Sequence, residues 1–172
     1  MASRPDNGDT ACAYVVGDDG LARWSDTHAE AWVGLLETHK RLTRALEAEL
    51  EADHGLSLSG LELLGRLAAA DGRILRLSQL ADLTGLSLSR VSRIMDVLEE
   101  RKLVERRLCP EDGRARNAWL TEPGLKLLRA AQATHFAGVQ RRFFDHMEPE
   151  EISGLAATFG RFAPDGAGSC TG

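Results

Sequence analysis

The chain has 172 residues, of which 43% are hydrophobic and 27% are charged, and these values fit one globular domain with its own core. No apolar run is long enough to span a bilayer, and residues 1–20 lack the apolar segment of a signal peptide. A cytoplasmic protein without membrane contact is therefore expected, and three scattered cysteines exclude a disulfide framework or a cysteine-based metal cluster.

The charge is unevenly distributed along the chain. The formal net charge is −5, but residues 73–116 hold ten Lys or Arg against seven Asp or Glu, a local net charge of +3. The remainder therefore carries −8. A basic segment on an acidic body can bind phosphates locally, while the acidic body discourages indiscriminate coating of DNA.

The N-terminal third predicts an arm and one long helix. Residues 1–20 are rich in Gly, Asp, Asn, Ser and Pro, which predicts a disordered or loosely packed arm. Trp32 and a series of leucines recur at helical spacing from residue 25 to about residue 53, and Gly55 is a plausible C-terminal stop. Nearly 30 residues exceed the usual globular helix, and this one is apolar on more than one face. Residues 21–56 are therefore assigned to dimerisation.

A second helix is predicted to start at Ser57 or at Ser59, the latter forming a capping box with Glu62, and to end before residues 71 and 72. Residues 73–76 are a short strand candidate that can join a later hairpin as a third strand.

Residues 77–100 predict two helices joined by a tight turn. The first is expected to be capped by the hydroxyl of Ser78 and to stop near Gly85, which tolerates the positive φ of the turn. Ala81 supplies the small side chain that steeply crossing helices need. The second helix has a predicted buried stripe, Leu88, Val91, Met95 and Leu98 with Ile94 at its border, and an outward face, Ser89, Arg90, Ser92, Arg93 and Asp96. Such a face suits a helix in the DNA major groove, although an ordinary solvated face has the same composition.

Two short strand patterns, residues 105–108 and 117–120, flank a loop that contains Pro and Gly, and they predict a hairpin. Its tip carries Arg114 and Arg116, with Asp112 close enough to orient one guanidinium. An arginine at such a tip can enter a narrow minor groove, where the potential is most negative.

This region resembles the MarR family of bacterial transcriptional regulators. The predicted hairpin corresponds to the wing of this family. The resemblance rests on the DxR run at residues 112–114 of the wing, on LEERKLVERR before it and on AWLTEPG after it, and covers roughly residues 24–162. One departure is Arg101-Lys102, where a glycine often precedes the Leu-Val pair. The resemblance implies that Arg114 is the minor-groove arginine, Asp112 its partner, and residues 87–93 the recognition surface. The predicted DNA contacts are Ser78, Ser87, Ser89, Arg90, Ser92, Arg93, Arg107, Asp112, Arg114 and Arg116.

The C-terminal part predicts two further helices. Thr121 caps the first, with Pro123 in its opening turn and an end near His146; Leu125, Leu128, Val139 and Phe143 mark its buried side. Pro149 opens the last helix, which carries Ile152, Leu155, Phe159 and Phe162. The expected fold is thus mostly α with a small β-hairpin wing: a winged helix-turn-helix at 57–120, dimerisation helices at 21–56 and 121–163, and a disordered tail at 164–172. A homodimer is expected, the alternative being a monomer.

The resemblance also implies release from DNA by a small aromatic or phenolic effector. The candidate ligand residues are Trp24, Trp32, His39, His54 and Asp71, each of which also has an ordinary structural explanation. A urate-responsive subgroup shares an N-terminal extension and a tryptophan on the first helix, so a urate-like effector is a hypothesis. No cofactor and no metal site are predicted.

The leading hypothesis is a ligand-responsive regulator, expected to be a repressor, that binds a pseudo-palindromic operator in double-stranded DNA as a homodimer. The alternatives are a winged-helix protein-interaction module that does not bind DNA, and a redox-sensing regulator that uses Cys109. An enzyme is not expected, because no nucleophile has an evident base and no phosphate-binding glycine loop is present.

Overall fold

The computed structural model describes residues 14–24, 26–108 and 116–162, with the side chain of residue 108 left out. The chain divides into two compact units, Met1–Leu42 and Thr43–Gly172. Helix α1 (Asp26–His54) begins in the first unit and ends in the second.

The first unit contains a β-hairpin before α1. Strands β1 (Tyr14–Val16) and β2 (Ala22–Trp24) are antiparallel, and Tyr14 stands opposite Trp24 with their rings 6.0 Å apart in an edge-on arrangement. The predicted disordered arm is therefore wrong for residues 14–20. The Tyr-Val-Val patch in this part of the arm has high strand propensity, and Gly20, at a φ of 75°, lies in the turn. Residues 1–13 lie outside the described residues.

Helix α1 changes from exposed to buried along its length. Every residue from 31 to 41 is exposed, although Trp32, Val33, Leu35 and Leu36 are apolar. Leu46 and Leu50, within the second unit, are buried. The helix ends as predicted at Gly55, whose φ of 58° lets its amide donate to the carbonyl of Glu51 at 2.9 Å.

The second unit continues with α2 (Leu58–Ala69), β3 (Ile74–Arg76), α3 (Leu77–Thr84) and α4 (Leu88–Glu100). After these come β4 (Val104–Leu108), β5 (Arg116–Leu120), α5 (Glu122–Arg142) and α6 (Pro149–Gly160). Ser57 caps α2 by accepting a hydrogen bond from the amide of Gly60 at 3.0 Å, so the alternative start at Ser59 is wrong.

The three-stranded antiparallel sheet has the order β3-β5-β4, with Ile74 opposite Trp119 and Val104 opposite Leu120. The prediction that residues 73–76 supply a third strand to the wing hairpin is thereby confirmed. The core of this unit lies among α2, α3, α4, the sheet and the first half of α5. Its fully buried large side chains are Leu50, Leu56, Leu63, Leu64, Leu67, Leu80, Val91, Met95, Leu98, Val104 and Leu120.

Helix α5 starts in close contact with the end of α4. Thr121 caps it, as predicted, by accepting from the amide of Gly124 at 3.0 Å. A β carbon built on Gly124 would lie 2.0 Å from the carbonyl oxygen of Leu103, so only glycine fits. This explains the glycine in the TEPG run. Farther along the chain, Phe159 on α6 and Phe162 just after it are 45% and 79% exposed. Within the described residues, no helix has the length and apolarity needed to cross a membrane.

Candidate nucleic-acid interface

The turn between α3 and α4 has the geometry that the sequence predicts. Gly85 adopts a φ of 66°, and Ser87 caps α4 by accepting a hydrogen bond from the amide of Arg90 at 3.3 Å. The hydroxyl of Ser89 lies 3.1 Å from that of Ser87. These contacts place two hydroxyl groups and one arginine at the start of α4.

The predicted capping role of Ser78 is wrong. Helix α3 already begins at Leu77, because the side-chain oxygen of Gln79 accepts a hydrogen bond from the amide of Arg76 at 2.9 Å. Ser78 therefore lies in the first turn of the helix, where its side chain is exposed.

The buried stripe of α4 is confirmed for three of its four members: Val91, Met95 and Leu98 are at most 2% exposed. The prediction for Leu88 is wrong, because this residue is 53% exposed. Leu88 has the right helical phase but is the first residue of α4. That end of the helix extends beyond the elements that cover the rest of the stripe.

The first two turns of α4 present serine and arginine on their outward face. Ser89, Arg90 and Arg93 are exposed and Ser92 is half-buried. Among the described residues, neither Arg90 nor Arg93 forms an ion pair. Both guanidinium groups are therefore available to an external anion, as a phosphate or a guanine edge requires.

Asp96 faces outward, as predicted, and it also belongs to an ion-pair network with the wing. The guanidinium of Arg106 lies 2.7 Å from a carboxylate oxygen of Asp96 and 2.6 Å from one of Glu99. The backbone amide of Arg106 also donates to Glu99, at 2.9 Å. These contacts lower the pKa of Glu99 and raise that of Arg106. Sequence reasoning missed this network, although two acids three residues apart, followed by a basic strand, were a usable signal.

The described arginines of the wing have different surroundings. Arg107 forms an ion pair with Glu105 at 2.7 Å and lies over the ring of Trp119, 4.3 Å from its centroid. Arg116 is exposed at the start of β5. Asp112, Arg114 and Cys109 lie outside the described residues.

The predicted ligand residues fall in both units. Trp24, Trp32 and His39 belong to the first unit and are all exposed. In the second unit, Nε2 of His54 lies 2.8 Å from the Thr134 hydroxyl, so this histidine joins the end of α1 to α5. Asp71 is exposed in a short 3₁₀ turn after α2.

A groove between α2 and α5, of about 530 Å³, was not predicted. Its lining includes Leu58, Leu61, Gln132, His135 and Phe136 and none of the five predicted ligand residues. Burial lowers the pKa of His135, and its buried Nδ1 has no hydrogen-bond partner within the part of the chain that the structure describes. Among the described residues, no group of three His, Cys, Asp or Glu is placed to hold a metal ion.

Comparison with known proteins gives a consistent result. A model of the MarR family matches residues 54–115. AbsC, a MarR family transcriptional regulator from Streptomyces coelicolor, is 36% identical, with a TM-score of 0.74 over 81% of this chain and 95% of AbsC. Sco3205, a MarR family transcriptional regulator from the same organism solved in complex with DNA, is 30% identical, with a TM-score of 0.74 over 86% of this chain and 96% of Sco3205.

Wild-type MarR from E. coli in its apo form is 17% identical, with a TM-score of 0.64 over 76% of this chain and 93% of that one, a likeness that concerns the fold alone. A search of curated proteins found no match. The predicted winged helix-turn-helix is confirmed. With 36% and 30% identity to two such regulators over nearly their whole length, the chain belongs to the MarR family of transcriptional regulators.

Proposed function

We propose that this protein binds double-stranded DNA through α4 and the wing. The observation that carries this proposal is the start of α4, where Ser89, Arg90 and Arg93 are exposed and neither arginine pairs with an acid of the described ranges. The capping by Ser87 fixes this end of the helix, as a helix entering a major groove requires. The presence of DNA in the Sco3205 structure supports the same function here.

The remaining proposed contacts are Ser78, Ser92, Arg107, Arg116 and, outside the described residues, Asp112 and Arg114. Arg107 and Arg116 lie on the two wing strands, and an arginine near a wing tip can enter the minor groove. Substituting Arg114 with alanine should weaken operator binding while the oligomeric state persists.

The direct test begins with duplexes selected from a random library by the wild-type protein. The double variant Arg90→Ala/Arg93→Ala should bind the selected duplex roughly a hundredfold or more weakly, and its affinity should vary less steeply with salt. Arg66→Ala is the matched control, because Arg66 is an exposed arginine on α2 that pairs with Glu62. Failure of the wild type to select any duplex would reject the function, and equal affinities of the three proteins would reject the role of α4.

We further propose a homodimer that binds a pseudo-palindromic operator. The support is the apolar surface of α1, where four large side chains between residues 32 and 36 are 44–54% exposed, together with exposed Phe159 and Phe162. Two copies would hold their α4 helices about one turn of DNA apart, roughly 34–36 Å. Leu36→Glu should halve the solution mass and abolish high-affinity binding while the circular dichroism of the helices persists. A wild-type mass equal to one chain would reject the dimer.

We also propose that the protein is a repressor released by a small aromatic or phenolic effector, urate-like compounds included. The groove between α2 and α5 supports an aromatic guest, because it is lined by apolar side chains, by the exposed ring of Phe136 and by the half-buried His135. A panel of phenols and purines should contain a compound that raises the melting temperature and dissociates the DNA complex. Loss of both effects in Phe136→Ala would assign the groove, and their loss in Trp32→Ala would favour the residues predicted from sequence. A panel without either effect would reject the effector.

A further inference from the structure

We propose that Arg106 is a positioning residue that fixes the wing against α4 and thereby controls DNA affinity without touching DNA itself. The inference rests on the proposed DNA binding through α4 and the wing.

The surroundings of Arg106 differ from those of the exposed arginines on α4. Its Nε and one terminal nitrogen lie 2.7 and 2.6 Å from the same oxygen of Glu99, and the other terminal nitrogen lies 2.7 Å from Asp96. The side chain is only 16% exposed. Because all three guanidinium nitrogens already face carboxylates, Arg106 is not available to bind a phosphate.

These contacts connect the two parts that must reach DNA together. Asp96 and Glu99 lie on α4, three and six residues beyond Arg93, whereas Arg106 lies on β4. Strand β4 pairs with β5, and the chain between these two strands holds the predicted minor-groove arginine. The angle between α4 and β4 therefore sets the distance between major-groove and minor-groove contacts. One planar guanidinium that contacts two carboxylates of α4 restricts this angle more than the backbone connection alone.

The network also has an electrostatic effect. Asp96 and Glu99 would otherwise present two carboxylates on the helix that approaches phosphates, and Arg106 compensates part of this charge. A test must separate the loss of position from the exposure of negative charge. The triple variant Asp96→Asn/Glu99→Gln/Arg106→Met removes the ion pairs and leaves no uncompensated acid behind.

The experiment compares wild type, the triple variant and Arg106→Lys on a duplex selected by the wild type. Affinity is measured by fluorescence anisotropy, minor-groove contacts by hydroxyl-radical footprinting, and major-groove contacts by protection of guanine N7 from methylation. The double variant Glu62→Gln/Arg66→Met removes an ion pair on α2 and serves as the control.

The triple variant should keep its melting temperature within a few degrees and its oligomeric mass, bind roughly ten- to a hundredfold more weakly, and lose protection in the minor grooves at the flanks. Its guanine protection should persist. Arg106→Lys keeps the positive charge but replaces the planar guanidinium with a single ammonium group. This variant should show the same pattern with a smaller loss of affinity.

Unchanged affinity and footprint in the triple variant would overturn the positioning role while leaving the proposed function intact. Equal loss of all protection would also overturn it, because Arg106 would then act through the fold as a whole. A wild type that selects no duplex would overturn the proposed function and this inference together.

Discussion

Replacing Gly124 with alanine tests how the wing is attached to α5. The β carbon of alanine would lie 2.0 Å from the carbonyl oxygen of Leu103 and 2.7 Å from a methyl carbon of Leu120. The carbonyl cannot turn away freely, because it accepts a hydrogen bond from the amide of Thr121 at 3.1 Å and lies 2.9 Å from its hydroxyl. The substitution therefore has to separate the start of α5 from the end of α4.

The size of the effect follows from three contributions. Overpacking against an immobile neighbour costs about 1–3 kcal/mol. Stretching the hydrogen bonds to Leu103 adds about 1 kcal/mol, and alanine in a helix returns up to about 1 kcal/mol relative to glycine. The free energy of unfolding should thus fall by about 1–4 kcal/mol, which corresponds to a decrease in melting temperature of roughly 2–16 °C for a chain of this size.

Urea unfolding monitored by circular dichroism at one fixed protein concentration measures this change, since the stability of an oligomer depends on concentration. Gly65→Ala is the matched control, because Gly65 lies inside α2 and an added β carbon has no heavy atom within 4 Å. The control should be up to about 1 kcal/mol more stable than wild type. A Gly124→Ala variant as stable as wild type would refute the steric reasoning.

Four further substitutions test local features. In urea unfolding, Met95→Ala should lower the free energy of unfolding by about 2–5 kcal/mol, because Met95 is fully buried. Leu88→Ala should lower it by less than about 1 kcal/mol, because Leu88 is 53% exposed. Similar losses in the two variants would contradict the assignment of the two faces of α4. Lys102→Gly should raise the free energy of unfolding by about 0.5–1 kcal/mol, because Lys102 holds a φ of 59° that glycine adopts without steric cost; a destabilised variant would contradict this. Glu49 pairs with two arginines of α5, and these arginines lower its pKa. Its carboxylate therefore stabilises the fold above its ordinary pKa of 4.5, and this stabilisation is lost as the pH falls below that value. Glu49→Gln should therefore be less stable than wild type at pH 7, and the difference in urea midpoint should shrink by pH 3.5; a constant difference would count against the ion pairs.

The sequence was sufficient wherever a local chemical requirement has few solutions. Gly55 and Gly85 adopt the left-handed conformation at the predicted helix ends, and Thr121 caps α5 as expected. The same reasoning placed the third strand of the sheet, because residues 73–76 have strand propensity but lie between two helices. The helix ends and the cap depend on neighbours in the chain, which a sequence displays directly.

The errors arose where the outcome depends on groups distant in the chain. Leu88 has the correct helical phase, but periodicity does not reveal whether another element covers that end of α4. The ion pair of Asp96 is not evident from the sequence, because its partner, Arg106, lies ten residues away on a strand. Lys102 stands where the family often has glycine. The position requires a left-handed φ, which glycine adopts most easily, because this φ ends α4 and lets the amide of Leu103 donate to the carbonyl of Leu98 at 2.9 Å.

The acidic net charge leads to a prediction about salt. Three acids of α4 and the wing are paired, with Arg106 bridging Asp96 and Glu99 and Arg107 holding Glu105, so these acids offset little of the positive potential of the exposed arginines of α4. The acids elsewhere in the chain act only over distances that screening permits, about 8 Å at 0.15 M salt and about 30 Å at 0.01 M. Above about 0.1 M salt, the logarithm of DNA affinity should therefore fall linearly with the logarithm of the salt concentration, as counterion release requires. Below about 0.03 M the line should flatten, because repulsion from the acidic body then reaches the DNA. Anisotropy titrations of a selected duplex from 0.01 to 0.3 M salt measure the curve, and a constant slope over the whole range would show that the distant acids do not act on DNA.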